Sequence, residues 1–105
     1  MCKETPRCSI IAAATAGFER PQDCKVTVQL KTEGGISIRL HGANAHMFDR
    51  SIRQSAEDAL RKLDVFHADV ELMDFDSLDF TIRARVATAV RRAVCELQKA
   101  GAAVE

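Results

Sequence analysis

Two stretches in which apolar and polar residues alternate constrain this chain more than any other feature. Residues 26–31 read Val-Thr-Val-Gln-Leu-Lys, and residues 36–41 read Ile-Ser-Ile-Arg-Leu-His. Alternation with a period of two is typical of a β-strand that buries one face. The stretch "TEGG" between them supplies two glycines that can adopt positive φ. The pattern predicts a β-hairpin formed by these two strands.

Two longer segments repeat apolar residues at intervals of three and four, which predicts amphipathic helices. The first helix is expected to begin near Asn44 as its N-cap and to continue to Leu63. The second is expected to run from about Ser77 to Lys99. Asp76 fits the N-cap of the second helix, and Gly101 fits its C-terminal stop.

The remaining segments complete the predicted fold. Residues 64–75 return to alternation and predict a strand, whereas residues 10–17 suit either an edge strand or a short helix. Residues 1–9 and 100–105 are expected to be flexible. We therefore predict one α+β domain over residues 1–105, a small antiparallel or mixed sheet with two amphipathic helices on one face. The predicted order is β-hairpin, helix, strand, helix.

Composition excludes several classes of protein. Fifteen basic and fifteen acidic residues give a net charge of +0, so no overall field attracts nucleic acid or anionic lipid. Trp and Tyr are absent, which removes the usual platforms for stacking bases. No apolar run reaches the length of a membrane span, and no signal peptide is recognisable. The four cysteines lack the spacing of a zinc or redox motif, so we expect a cytoplasmic protein with reduced thiols.

The acidic residues and histidines match metal-binding motifs only weakly. Residues 64–79 contain six acidic residues and no Lys or Arg, including the stretch "DFDSLD". A calcium loop is disfavoured because this stretch has no glycine and its twelfth position is Arg85 rather than Glu. The acids are instead expected at a strand edge and at a helix N-terminus. The three histidines fall on different predicted elements: His41, His46 and His67.

Basic residues of the second predicted helix form a stripe. Arg85, Arg92 and Lys99 are seven residues apart, and Arg83 borders the apolar arc from the other side. These side chains suit ion pairs with the preceding acids, a solvated face, or a phosphate group. No nucleophile, base and acid occur at a recognisable catalytic spacing, and Cys24 fits a packed residue at the start of a strand. The residues therefore do not predict an enzyme.

Three stretches carry a family resemblance, in the order of residues 14–28, 47–65 and 76–93. Together they resemble the small acyl carrier (gamma) subunit of citrate lyase. "ATAGFERPQDCKVTV" is similar to that family's Ala-x-Ala-Gly turn with its following Asp and strand. "MFDRSIRQSAEDALRKLDV" is similar to its Phe-Gly-Asp-x-Ile-Arg helix. "DSLDFTIRARVATAVRRA" resembles its Ala-Leu-Asp-x-x-Leu-Arg-Ala-Arg helix most specifically, with matches at Leu78, Asp79, Arg83, Ala84 and Arg85. The resemblance covers roughly residues 12–95.

The resemblance implies a non-catalytic subunit. In that family a serine in the first turn carries a phosphoribosyl-dephospho-coenzyme A arm through a phosphodiester. The thiol at the tip of the arm carries acyl groups between a transferase (alpha) subunit and a lyase (beta) subunit. A long flexible arm raises the effective concentration of the thioester at each active site.

The attachment turn departs from the family at one position. Counted from Gly17 and checked against Asp23, the position of the serine is occupied by Pro21, which has no hydroxyl. Gln22 cannot replace the serine chemically. The nearest hydroxyls along the chain belong to Thr15 and Thr27, in predicted apolar or strand segments, and Ser9 lies well upstream. We therefore expect no prosthetic group on this chain.

Three functional interpretations remain open. The first is a carrier-type subunit of a citrate-lyase-like complex, with alpha and beta subunits as partners and no attachment serine. The second is a scaffold or regulatory protein that docks on such subunits without cargo. The third is a module that binds phosphate or nucleic acid through the basic stripe. The candidates for partner docking are Arg83, Arg85 and Arg92.

Overall fold

The computed structural model describes the backbone of residues 10–104 and the side chains of residues 10–99. The predictions for residues 1–9 and residue 105 lie outside this range. The elements follow in chain order as β1 Ile10–Gly17, β2 Asp23–Lys31, β3 Ile36–His41, α1 Asp49–Lys62, β4 Ala68–Phe75 and α2 Asp79–Val104. Residues 10–17 thus form a strand rather than a short helix.

The four strands form one mixed sheet in the order β1-β2-β4-β3. β2 is antiparallel to both β1 and β4, and β3 is parallel to β4. A mixed sheet with two helices confirms the predicted α+β fold class. The direct pairing of residues 26–31 with residues 36–41 is wrong, because β4 lies between these two strands.

The pairing error has a physical reason. Alternation shows that a strand has one buried face but does not show which strand lies beside it. The glycine turn is instead bonded to the start of β4. The Gly35 amide donates to His67 Nδ1 at 2.9 Å, and the Gly35 carbonyl accepts from the Ala68 amide at 3.0 Å. The antiparallel hairpin of this sheet is β1–β2, closed by residues 18–22.

Both helices contribute to a single hydrophobic core with all four strands. Alternate residues of β2 from Cys24 onward and of β4 are buried beneath the helices, while the residues between them remain partly or fully exposed. The largest fully buried side chains are Leu60, Leu72, Val26, Val28, Val70, Val86 and Cys24. One face of the sheet is therefore covered, as predicted, and the opposite face carries polar residues.

The helix boundaries differ from the prediction. Backbone turns occupy residues 42–48, so α1 begins at Asp49, and Asn44 donates to Asp76 Oδ1 at 3.0 Å instead of capping α1. Asp76 has φ of 64°, outside the extended conformation of an N-cap, and α2 begins at Asp79. α2 also continues through Gly101 to Val104, because the alanines around this glycine favour helix. Flexibility of residues 100–104 stays a prediction.

Neither helix in the described part of the chain combines the length and the apolarity that a bilayer span requires.

Candidate functional site

The turn between β1 and β2 is anchored at its C-terminal end. Pro21 and Gln22 are exposed at this turn, and Gln22 adopts a left-handed φ of 62°. The Gln22 amide donates to the Phe75 carbonyl of β4 at 2.7 Å, and the Asp23 amide donates to the Arg20 carbonyl at 3.2 Å. Pro21 is therefore presented to solvent on a turn whose backbone is fixed to the neighbouring strand.

A buried carboxylate locks the base of this turn. Asp23 is 4% exposed and accepts from Arg85 Nε at 3.0 Å and from Arg85 Nη2 at 2.9 Å. It also accepts from the Cys24 amide at 2.7 Å and from Arg20 Nε at 3.2 Å. The Arg85 guanidinium, together with these other donors, holds the pKa of Asp23 below its ordinary value. The ion pair fastens α2 to the start of β2.

Glycine is required where β1 enters the turn. Gly17 has φ of 95°, and a Cβ atom there would lie 1.9 Å from the Cys24 carbonyl oxygen and 3.2 Å from Arg85 Cδ. No side chain fits so close an approach of two backbones. Gly17 and Asp23, the two residues that flank the attachment position in the resemblance, are thus both built into the geometry of the turn.

An exposed aromatic ring completes the turn. Phe18 is 56% exposed, and the guanidinium carbon of Arg20 lies 4.5 Å from its ring centroid. The guanidinium of Arg85 lies 5.9 Å from the same centroid, within the range of a cation–π contact. Arg20 and Arg85, which both bind Asp23, therefore also contact Phe18.

A groove of 530 Å³ separates this turn from the loop that follows β4; we call it the turn groove. Its lining residues are Glu19, Arg20, Pro21, Gln22, Ala43, Asp74, Phe75 and Asp76. None of these residues carries a hydroxyl or a thiol. The described lining of the turn groove thus offers no hydroxyl that could replace that of a serine at position 21.

The hydroxyls proposed as substitutes lie elsewhere. Thr15 and Thr27 face each other across β1 and β2, with 3.1 Å between their Oγ1 atoms, on the open face of the sheet. Ser9 lies outside the described residues. Sequence reasoning missed Ser77, a half-buried residue whose hydroxyl donates to Asp74. The stretch "DFDSLD" contains this pair, but its acids were predicted at a strand edge and a helix N-terminus, without Ser77 as a partner.

Cys24 is a packing residue at the end of the core. Its side chain is fully buried, and this burial raises the pKa of the thiol to about 11. The thiol is therefore protonated at neutral pH and is a poor nucleophile. Cys95, the other free cysteine of the described chain, is exposed on α2.

The predicted docking arginines have separate intramolecular partners. Arg83 pairs with Asp79 at 3.0 Å and with Asp58 of α1 at 3.2 Å. Arg85 holds Asp23, and Arg92 Nη1 donates to the Thr15 carbonyl at 2.8 Å. Arg83 therefore joins the two helices, whereas Arg85 and Arg92 join α2 to the β1–β2 hairpin.

The histidines and acids do not converge. Within the described residues no group of three His, Cys, Asp or Glu side chains is placed to hold a metal ion. His41 Nε2 lies 2.9 Å from Glu71 Oε2 on the open sheet face, and His67 accepts from Gly35. Their positions fit local structural roles.

A second, apolar groove lies between α1 and the start of α2. Its volume is 410 Å³, and we call it the apolar groove. Phe48 and Leu78 form its rim and are 54% and 59% exposed, while Ile52 and Ile82 are buried in its floor. Asp74 and Asp76 line both this groove and the turn groove, so the two are adjacent.

These features define a small α+β domain organised around one rigid, exposed turn. The chain belongs to the acyl carrier protein family described as malonate decarboxylase delta subunit (MdcD), which it matches over residues 11–93. The match includes the whole of the turn, all of β2 and β1 from its second residue, and it ends within α2.

Relatives with curated names agree with this membership. The chain is 40% identical over 80 residues to the citrate lyase acyl carrier protein of Streptococcus mutans serotype c, which covers 76% of this chain and 78% of that protein. It is 36% identical over 87 residues to the citrate lyase acyl carrier protein of Rhodopseudomonas palustris, covering 83% and 89%. The resemblance inferred from three motifs is thus confirmed over most of the chain.

Solved structures add information on the fold alone. A crystal structure of homoserine kinase from Cytophaga hutchinsonii superposes with a TM-score of 0.52 at 14% identity. The alignment covers 82% of this chain but only 34% of the kinase, so the similarity concerns one part of a larger protein.

Proposed function

We propose that this chain is a non-catalytic, carrier-type subunit of a citrate-lyase-like complex, and that position 21 carries no prosthetic arm. Membership of the acyl carrier family supports the first part. The second part is supported by one observation: a proline stands exposed at the tip of a turn whose frame is otherwise complete. Because a phosphodiester needs an oxygen on the protein, Pro21 cannot form one.

The contacts that hold the turn in place do not involve the side chain at position 21. The close approach at Gly17 and the Asp23–Arg85 ion pair hold the turn in place without any contribution from a hydroxyl at position 21. Gly17, Asp23 and Arg85 therefore maintain the fold of the turn, whereas the residue at position 21 would provide the oxygen for attachment. A chain can lose this attachment oxygen and still keep the fold of the turn.

The alternative is a scaffold or regulatory subunit that docks on the transferase (alpha) and lyase (beta) subunits without cargo. Exposed apolar side chains favour it, because Met47, Phe48 and Leu78 are each more than half exposed. Arg83, Arg85 and Arg92 stay candidates for docking, although each already has an intramolecular partner. Those partners argue against the phosphate- or nucleic-acid-binding interpretation. A cytoplasmic location is part of the proposal, in agreement with free thiols at Cys24 and Cys95.

The experiment tests whether a serine at position 21 allows the arm to be attached. Purified wild-type chain and the Pro21→Ser variant are incubated with the enzyme that attaches the arm in citrate lyase systems and with its activated arm precursor. The citrate lyase acyl carrier protein of Streptococcus mutans is the positive control, and Gln22→Ser is the matched variant one residue away. Intact mass reports attachment.

We expect an adduct on the positive control and on Pro21→Ser, and none on the wild type or on Gln22→Ser. An adduct on the wild type would contradict the proposal. If Pro21→Ser stays unmodified while the positive control reacts, the turn has lost more than its oxygen, and the scaffold interpretation is favoured.

Partner docking is tested separately by Arg92→Glu. Arg92 is exposed and binds only one carbonyl among the described residues, so this variant is expected to fold. Weaker binding to purified alpha or beta subunits would support Arg92 as a docking residue. Unchanged binding would remove it from the candidates.

A further inference from the structure

The C-terminal end of β4 contains a second buried carboxylate, Asp74, and this one lacks a cation. Asp74 is 6% exposed, and its Oδ1 accepts from both the amide and the hydroxyl of Ser77, the former at 3.1 Å. No ion pair among residues 10–99 includes Asp74. Its Oδ2 atom accepts no hydrogen bond within the described chain. Since no fully buried side-chain oxygen of the described residues lacks a hydrogen-bond partner, Oδ2 reaches the surface, where a partner can contact it.

Asp76 adds a second uncompensated charge beside it. Asp76 is exposed in a left-handed conformation, and its hydrogen bond comes from the neutral amide of Asn44. Arg20 is the one basic residue among those that line the two grooves, and its guanidinium lies on Asp23 and Phe18. Within the described structure, the junction of the two grooves is therefore acidic.

The same junction opens directly onto apolar surface. Phe48 and Leu78 expose more than half of their side chains at the rim of the apolar groove. Bulky apolar residues exposed together beside carboxylates are typical of a surface that another protein covers. The carboxylates disfavour a phosphate-bearing ligand here, because like charges repel at close range.

We propose that the apolar groove and the carboxylates of Asp74 and Asp76 form a docking site for a partner protein segment with Arg or Lys next to an apolar side chain. The apolar side chain lies between Phe48 and Leu78, above Ile52 and Ile82. The cation reaches the junction and pairs with Asp76 and with Oδ2 of Asp74. This inference goes beyond the proposed function, since it names the chemistry of a contact and holds whether or not Pro21 abolishes attachment.

The first test uses a peptide probe with a neutral isostere. Acetyl-Leu-Arg-Leu-amide is titrated into the isotopically labelled chain, and acetyl-Leu-citrulline-Leu-amide is titrated in parallel. We expect the arginine peptide to shift the amide signals of Asp76, Ser77 and Leu78. The citrulline peptide should bind about tenfold more weakly, because it keeps the shape of the side chain and loses its charge. Equal binding of both peptides, or no shift at this site, would overturn the proposal.

The second test uses matched asparagine variants. Asp76→Asn should weaken the arginine peptide about threefold at low salt, because Asp76 is exposed. Asp64→Asn is the control, since Asp64 is also exposed and has φ of 59°, close to the 64° of Asp76, but lies after α1. Asp74→Asn should weaken the peptide about tenfold. Equal effects of Asp64→Asn and Asp76→Asn would contradict the site. Concentration-dependent shifts of these amides without peptide would show that a second copy occupies the groove, and would also overturn the proposal.

Discussion

Asp23 and Asp74 lie on neighbouring strands at the same end of the sheet, and both are buried, yet their partners differ. Asp23 is neutralised by Arg85 and Arg20, whereas Asp74 receives hydrogen bonds only from Ser77 within the described residues. Cys24 is paired with Asp74 in the sheet, so Asp23 and Asp74 are offset by one residue rather than directly opposite each other. The difference indicates two roles. The first carboxylate holds the turn in place, and the second leaves a charge available to a partner.

The largest effect should follow from filling the space at the start of the turn. Gly17→Ala places a Cβ against the Cys24 carbonyl, and we expect a loss of at least about 3 kcal/mol in the free energy of unfolding. Gly35→Ala is the control, because Gly35 also has positive φ, at 75°, but nothing lies within 4 Å of its added Cβ. It should cost about 1 kcal/mol, the conformational part alone. Similar urea midpoints for both variants would show that the turn tolerates displacement.

A direct comparison of the two carboxylates comes next. Asp23→Asn breaks a buried ion pair and leaves Arg85 without its partner, which should cost about 3 kcal/mol. Asp74→Asn keeps an oxygen that can accept from Ser77, so it should cost less than about 1 kcal/mol. Both variants are measured by urea unfolding at neutral pH. Comparable losses would abolish the distinction between a structural and an available carboxylate.

The pH dependence of stability should show the same asymmetry. Because the pKa of Asp23 is lower in the folded chain than in the unfolded chain, its stabilising effect is complete above about pH 4. The effect is lost as pH falls through the lower, folded-state pKa. Asp58 and Asp79 also have lowered pKa values and act in the same direction. We therefore expect Asp23→Asn to reduce, without abolishing, the fall of the melting temperature below pH 4; parallel curves would contradict the role of Asp23.

The smallest effect should come from the position that matters most for attachment. Pro21→Ser changes an exposed turn residue and should lower the free energy of unfolding by only about 0.5 kcal/mol, mainly through a more flexible unfolded chain. Thermal unfolding beside the wild type measures the difference. A much larger loss would mean that Pro21 supports the frame of the turn.

The sequence predicted the fold class well and the strand order poorly. Periodicity identified β2, β3, β4 and both helices, because burial of one face depends on local pattern. It could not predict that β4 separates β2 from β3, because pairing depends on contacts between distant residues. Helix starts failed for a similar reason: Asn44 and Asp76 were both plausible caps, but in the fold they bind each other.

The site was partly visible in the sequence. Comparison with family motifs located the turn, and with it Gly17, Pro21 and Asp23. The partner of Asp23 was not predictable from spacing, since Arg85 is 62 residues away. In the sequence Asp74 is one acid in a run, and its distinguishing feature, burial without a cation among the described residues, exists only in the folded chain.

The most direct test of the account is the intact mass of the protein purified from its native source. A domain that retains the carrier fold but has Pro21 in place of the attachment serine should show the mass of its polypeptide, with no nucleotide-containing adduct. An additional mass equal to a phosphoribosyl-dephospho-coenzyme A arm, mapped to any residue of this chain, would contradict it.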